Sequence, residues 1–414
     1  MRGGYILLAV ILIACAFGCA KEKSNSQVTQ ERTTQTQTQQ PARSDLPPPG
    51  NPEVGKKPPM PNPVNVPTPN EYKVETYASG LVVPWDIAFV SRNRAYVTER
   101  PGRVRLIENG NLRSRAYANI ESTARGESGL MGIALHPDYP NPRHVYLMYT
   151  YRTGGTTYNR VSRFTDTGNG FTTEMAMVTR IPAATYHDGG ALRFGPDKML
   201  YIGTGDAGQP ELAQNRSSLA GKILRMTPEG KVPNDNPFDN SLVYAYGFRN
   251  IQGLAWNPAN GDLWATNHGP SGEFGLEAMD SVYIVEKGGN HGWPRVLGAT
   301  DRRGVVSPVL FFPNTAVPPG LATFYNANLM PELRGNFFFT SLRGEHLQRV
   351  ILSSPRAISR IERWFATGNY SGRYGRLRAV VQGPDGALYV STSNRDLRGQ
   401  VRADDDFILR ISPK

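Results

Sequence analysis

The stretch Tyr186–Asp206, YHDGGALRFGPDKMLYIGTGD, places a histidine and paired glycines before an apolar strand. A Gly-Pro-Asp turn follows, then a second strand from Met199 to Ile202 that runs into Gly-Thr-Gly-Asp. This is the pattern of a β-hairpin with polar groups at one end. His187 precedes the first strand and Asp206 follows the second, so antiparallel pairing brings both to the same edge. A fold built from copies of this hairpin would gather such ends on one rim.

Copies are present. WDIAFVSRNRAYVTE from Trp85, GIALHPDYPNPRHVYLMY from Gly132, GALRFGPDKMLYIGTG from Gly190, GLAWNPANGDLWATN from Gly253 and RAVVQGPDGALYVSTS from Arg378 share an apolar strand, a turn and an aromatic-rich second strand. LMPELRGNFFFTSLRG from Leu329 is a weaker copy. The six turn positions, Ser91, Pro137, Pro196, Pro258, Pro331 and Pro384, are spaced by 46, 59, 62, 73 and 53 residues, which suits one four-stranded antiparallel sheet per unit. Amphipathic helical periodicity is nearly absent, and Gly and Pro punctuation is frequent. The expected fold is all-β, a six-bladed β-propeller. Its ring closes by a strand near Tyr72–Tyr77 against a final strand at Asp406–Ile411. A two-sheet sandwich, or two β domains, is the competing arrangement.

Outward from the repeats, residues 1–18 read as a lipoprotein signal: Arg2, an apolar run from Tyr5 to Phe17, and both cysteines, Cys15 and Cys19, at its end. The run is short for a membrane span. Cys19 is taken as the lipidated residue. Cys15, preceded by Leu12, Ile13 and Ala14, fits the residue pattern before such a cysteine at least as well but leaves a very short signal. The mature chain then works outside the cytoplasm, on the periplasmic or extracellular face of the cell membrane, without disulfides or thiol chemistry. Residues 19–70 form the expected linker: Ser, Thr, Gln, Asn, Lys and Glu to Gln40, too polar to fold, then eleven prolines between Pro41 and Pro69 as an extended spacer. Residues 71–414 are the propeller.

Residues 1–70 carry seven Lys and Arg against four Asp and Glu, so eight of the eleven net positive charges belong to the propeller. Anionic partners are favoured. No basic run interleaved with aromatics tracks a phosphate backbone, which argues against nucleic acid. A membrane surface or a small polyanion remains, beside plain solvated arginines. Arg376 and Arg378 alternate ahead of the last repeat, so they share a side and repel unless an anion lies between them. Arg103 and Arg105 share that spacing in what reads as an ordinary outer strand. Arg249 and Asn250 precede the strand of the Gly253 unit as His187 precedes its own.

GESGLMGIALHP from Gly126, YHDGG from Tyr186, YGFRNIQGLAW from Tyr246, NHGP from Asn267, GGNHGWP from Gly288 and RLRAVVQGPDGALYVSTSNRD from Arg376 together resemble the soluble pyrroloquinoline-quinone (PQQ)-dependent aldose sugar dehydrogenases, the glucose/sorbosone dehydrogenase family. The resemblance spans Tyr72 to Lys414, with its motifs in order. It implies that His187 is the general base taking the proton of the sugar C1 hydroxyl as hydride passes to C5 of the quinone, with Asp206 orienting it. It implies that Arg249 and Asn250 contact the reacting quinone oxygens, Arg249 stabilising developing negative charge. The main-chain carbonyls of Gly269 and Pro270 would hold calcium, and Arg343, Arg376 and Arg378 would pin the cofactor's carboxylates, with His268 beside them.

The chain departs from the family pattern at four positions. Arg343 stands for lysine, Glu127 and His268 for glutamine, and Ala379 for aspartate. Glu127 would repel a tricarboxylate unless it is protonated or faces the sugar. Glu273, Glu277 and Asp280 form an acidic loop that is either solvated or a second calcium site. The expected activity is oxidation of aldoses at C1 to aldonolactones, with electrons passed to an external acceptor such as a quinone, cytochrome or dye. A non-catalytic exported binding module and a propeller lactonase are the alternatives. Survival of His187, Arg249, Arg376 and Arg378 together argues against the first. Gly269 and Pro270, where a lactonase would need acidic and Asn side chains, argue against the second.

Overall fold

In each repeat unit a proline or polar cluster interrupts two apolar runs, and in the computed structural model, which describes residues 46–414, all six such clusters turn the chain between an inner strand and its neighbour. The inner strands are Pro84–Ser91, Leu130–Leu135, Leu192–Phe194, Ile251–Trp256, Pro319–Phe324 and Leu377–Gln382. They contact one another in sequence, and the last returns to the first, which closes a ring. Each opens an antiparallel sheet of four main strands, giving the six-bladed β-propeller. In the first blade the outermost position is divided between Asn111–Leu112 and Ala118–Asn119, which both pair with Arg103–Glu108.

The sixth blade joins the two ends of the propeller. Its outer strand, Tyr72–Ala78, pairs antiparallel with Ile408–Pro413, Tyr72 opposite Pro413 and Val74 opposite Ile411. The closing strand thus starts two residues later than expected. The reason is Asp406, whose carboxylate accepts the N–H groups of Asn394 at 2.6 Å and Val83 at 3.0 Å and is spent fastening the loop ahead of the strand.

Between blades the core is apolar, with Trp85, Trp264 and Trp364 almost wholly enclosed. Burying side chains of this size contributes about 1.5–3 kcal/mol each. Inner strands approach closely, and glycine permits it. A Cβ on Gly320 would lie 2.2 Å from the Arg378 carbonyl oxygen of the next blade.

Two expectations need correction. The unit from Leu329 holds only the turn and the second strand of the fifth blade, Phe337–Ser341; the inner strand is Pro319–Phe324, upstream of it. The proline-rich segment, expected as a spacer, is laid along the propeller from Glu53 onward. Glu53–Val54 pairs in parallel with Val296–Leu297, and Val64–Val66 pairs in parallel with Glu362–Trp364 at the outer edge of the fifth blade. Glu53 also meets Arg302 at 2.5 Å. Prolines that cannot donate to a ladder are tolerated at such an edge. Cys15, Cys19, the signal and the linker up to residue 45 lie outside the described residues.

Candidate active site

Chain direction decides where polar groups collect. Every inner strand starts at one end of the ring, so the connections between blades and the loops joining second to third strands share that end. Together they line a cavity of about 880 Å³. His187, Arg249, Arg376 and Pro318 come from inter-blade connections; Arg100, His268, Gly269, Pro270, Arg343 and Asp396 come from second-to-third-strand loops.

His187 and Asp206 meet as the hairpin reading requires, Nδ1 to Oδ1 at 2.8 Å. His187 sits in the left-handed backbone region at φ 62°, a conformation that costs on the order of 1 kcal/mol outside glycine. Its neighbours hold it there. Its N–H donates to Glu127 Oε2 at 3.1 Å, and its carbonyl accepts the Ala207 N–H at 3.2 Å. The turn residue Gly205 is dictated by the same contact, because a Cβ there would lie 1.9 Å from the His187 carbonyl oxygen.

Asp206 is fully buried, and its remaining capacity is filled. Gly208 N–H donates to Oδ1 at 2.9 Å and Trp293 Nε1–H donates to Oδ2 at 2.8 Å. A carboxylate that accepts from Nδ1 keeps that nitrogen protonated and leaves Nε2 as the basic atom facing the cavity. Trp293 was not singled out in the sequence. It is carried by a long excursion from the fourth blade that pairs along the edge of the third, with His291 N–H on Tyr246 O and Trp293 N–H on Gly247 O. Trp293→Phe keeps the ring and removes the donor, and is expected to lower unfolding free energy by about 1–3 kcal/mol, read by denaturant titration.

Arg249 also lines the cavity and is 1% exposed. Asn267 Oδ1 accepts the backbone N–H of both Arg249 and Asn250 at 3.0 Å, fixing the pair. Asn250, expected to contact a ligand beside Arg249, is not among the cavity-lining residues. Its Oδ1 accepts the Gly189 N–H at 2.8 Å and its Nδ2 faces His268 Nδ1 at 3.4 Å, so it ties the His187 loop to the next blade. His268 does line the cavity. Its Nε2 is engaged with the Pro319 carbonyl at 2.8 Å, and burial pushes its pKa down to about 3, so it presents a neutral ring.

The cavity holds six arginines and five carboxylates. Arg249 pairs with Glu273 at 2.6 Å, Arg376 with Asp396 at 2.8 Å and Arg398 with Glu127 at 2.8 Å. Burial works against ionisation of Glu127. The Arg398 guanidinium and the donated His187 N–H outweigh it and hold the carboxyl below its usual range. The repulsion expected from this glutamate is therefore offset locally. Asp280 is occupied by the N–H groups of Gly269 at 2.9 Å and Val317 at 2.7 Å, and burial raises its pKa to about 6.

Arg100 and Arg343 are left without a carboxylate among the described residues, and Arg378 reaches only Asp396, at 3.9 Å, which Arg376 already engages at 2.8 Å. Arg378 donates Nη1–H to Gln252 at 2.7 Å and lies over Trp85, but its Nε is buried with no hydrogen-bond partner. Burial, together with Arg100 and Arg376 nearby, pushes its pKa down to about 10. Arg343 stacks on Tyr370 at 5.0 Å. Arg100 was also missed by the sequence reading; it follows an ordinary strand, and only the ring brings it to the cavity. Arg103 and Arg105, by contrast, pair with Glu99 at 2.6 and 3.2 Å on their own blade.

This donor set fits a polycarboxylate: Arg100, Arg343, Arg376 and Arg378 face one space with a single acid, Asp396, among them, and the buried Arg378 Nε–H has no acceptor among the described residues. A hard cation would need oxygen donors, and Gly269 and Pro270 line the same cavity with Glu273 and Glu277. Among the described residues no three His, Cys, Asp or Glu side chains cluster as a metal site, so main-chain oxygens would have to contribute.

The sequence profile described as Glucose / Sorbosone dehydrogenase matches residues 81–402. A structure from Thermus thermophilus, described as an oxidoreductase (glucose dehydrogenase), is 42% identical with a TM-score of 0.75, covering 82% of this chain and 99% of that one. The PQQ-bound aldose sugar dehydrogenase of Streptomyces coelicolor is 33% identical with a TM-score of 0.73, covering 84% of this chain and all of that one. The aldose sugar dehydrogenase of Escherichia coli is 29% identical over 374 residues, 84% of this chain and 94% of that protein.

Proposed function

The chain belongs to the glucose/sorbosone dehydrogenase family of quinoprotein oxidoreductases, and from that premise we propose that it oxidises aldoses at C1 to aldonolactones with PQQ and calcium, passing the electrons to an external acceptor. One observation carries this reading: Nε2 of an Asp206-fixed His187 faces the same cavity as Arg100 and Arg343, which have no carboxylate among the described residues, and Arg378, whose buried Nε–H has no acceptor among them.

Arg343, Arg376 and Arg378 would hold the cofactor's carboxylates, and oxygens of Gly269 and Pro270 would hold calcium. Bound there, the quinone supplies the two-electron acceptor for the hydride leaving C1, and the cation polarises it. His187 Nε2 takes the C1 hydroxyl proton, while Asp206 and Trp293 keep the ring oriented and balance the charge it gains. Arg249, braced by Asn267, places a fixed cation beside the reaction. Sugar is held only at its reducing end in so open a funnel, which supports use of several aldoses. The signal-like N-terminus supports export and anchoring through a lipid on Cys19 at the outer face of the cell membrane.

Purified protein is expected to melt higher with PQQ plus calcium than with either alone, and only the ternary mixture should bleach a redox dye when glucose is added. Absence of both the shift and sugar-dependent reduction would return the protein to the binding-module alternative.

A further inference from the structure

Glu273 occupies the space in front of both reactive side chains. Its Oε1 accepts Arg249 Nε–H at 3.0 Å and Nη2–H at 2.6 Å, and the same oxygen is 3.8 Å from His187 Nε2. Its Oε2 accepts the Ser271 N–H at 2.6 Å. The Arg249 side chain is 2% exposed and that of Glu273 is 25% exposed, so the carboxylate reaches the buried cation from the solvent side. The other acids of this loop do not share the position. Asp280 is held by two backbone amides, and Glu277 lines the cavity with no ion pair among the described residues.

The segment that carries Glu273 is irregular. It is a short turn, Glu273–Gly275, between the strands Leu263–Asn267 and Asp280–Ile284. Glycines flank it at φ 119° (Gly272) and 73° (Gly275), and Phe274 between them has φ 56° and is 39% exposed. Gly272 lies in open space, with no atom near the position of a Cβ. The segment leans on Trp293 through Phe274, at 6.0 Å between ring centroids, while the carboxylate itself is held by Arg249 and the Ser271 amide.

We propose that Glu273 is an internal occupant of the anion position at Arg249, a latch that an anionic quinone must displace before His187 and Arg249 can act. This rests on the PQQ reading above. Two anions cannot share one buried guanidinium face at full strength, so cofactor binding and the Glu273–Arg249 pair compete. Apparent affinity falls by the fraction of protein with the latch open. Association is slowed by the same fraction when opening precedes binding.

The test is PQQ binding at fixed calcium, by calorimetry for affinity and by stopped-flow absorbance for association, on the full propeller. Glu273→Gln keeps the shape and removes the charge; it should bind roughly tenfold more tightly and associate faster, the size expected for losing one charge-assisted competitor. Glu273→Asp, one methylene shorter, should fall between the two. Glu277→Gln makes the same charge change in the same loop and should move affinity by less than about threefold. Equal or weaker binding by Glu273→Gln, or an equal gain from Glu277→Gln, overturns the latch while the PQQ reading stands. Absence of binding by the wild type and every variant overturns the PQQ reading, and the latch with it. Binding by Glu273→Gln alone supports both.

Discussion

Replacing His187 with Ala is expected to lower sugar-dependent dye reduction by about 10²–10⁴-fold, the usual range for losing a positioned general base. The melting shift produced by PQQ plus calcium should stay close to that of the wild type. The two readouts separate because the guanidinium groups proposed to hold the cofactor are Arg343, Arg376 and Arg378, none of which contacts His187 among the described hydrogen bonds and ion pairs. Loss of the ring leaves Asp206 with two of its three donors, Gly208 N–H and Trp293 Nε1–H, so the buried carboxylate stays solvated by the protein. Reduction that persists at wild-type rate in His187→Ala would place the base elsewhere. An equally large loss of both readouts would make His187 a cofactor contact.

The hairpin that carries His187 and Asp206 was legible because its turn chemistry is local: Gly-Pro-Asp can reverse only a short chain between two apolar runs. The same logic located all six inner turns. It failed at Pro319–Phe324, PGLATF, because that strand is small and weakly β-forming and owes its place to close packing of Gly320 against Arg378 O in the neighbouring blade. Nothing local records such a contact. The strap from Glu53 to Val66 was misread for a related reason: its composition excludes a central strand, but two short parallel pairings at an exposed edge need few donors.

At the site, the residues found by sequence are those that lie just before or after a repeat strand. Trp293 and Asn267 lie in motifs of the sequence but carry no role there, and Arg100, although it follows a repeat strand, has no local signal of its own. Trp293 reaches Asp206 from 87 residues away through an irregular excursion with no periodicity of its own. Asn250 was visible, but its contacts were not: its amide meets Gly189 and His268 and does not line the cavity. Both residues sit in the connection ahead of the inner strand Ile251–Trp256, where Asn267 Oδ1 holds their two N–H groups while Arg249 enters the cavity and Asn250 turns to Gly189. Glu273 was seen as a member of an acidic loop; its pairing with Arg249 was beyond sequence because it depends on how far the loop folds back over the ring.

The second large effect is on cofactor retention. Wild-type protein at a thousandfold excess of ligand over its dissociation constant gains about 4 kcal/mol of stability by mass action, and replacing Arg376 and Arg378 together with Ala is expected to remove most of that gain. In the free protein these two cations share one buried acid, Asp396, at 2.8 and 3.9 Å, and Arg378 keeps an N–H with no acceptor. A tricarboxylate supplies both the missing charge and the missing acceptor, so the binding gain is concentrated here. The double variant also strands Asp396, which retains only Ser393 Oγ at 3.2 Å and the Arg398 N–H at 3.0 Å, and its ligand-free form should melt lower than wild type. Arg378→Met separates the two effects. It keeps an unbranched side chain against Trp85, leaves the Arg376–Asp396 pair intact and removes a charge that burial disfavours, so the ligand-free protein should be at least as stable as wild type. Its shift with PQQ and calcium should nevertheless be smaller. The measurement is paired melting curves with and without ligand for each variant. A full wild-type shift in Arg378→Met would show that this arginine neutralises Asp396 and does not hold the cofactor.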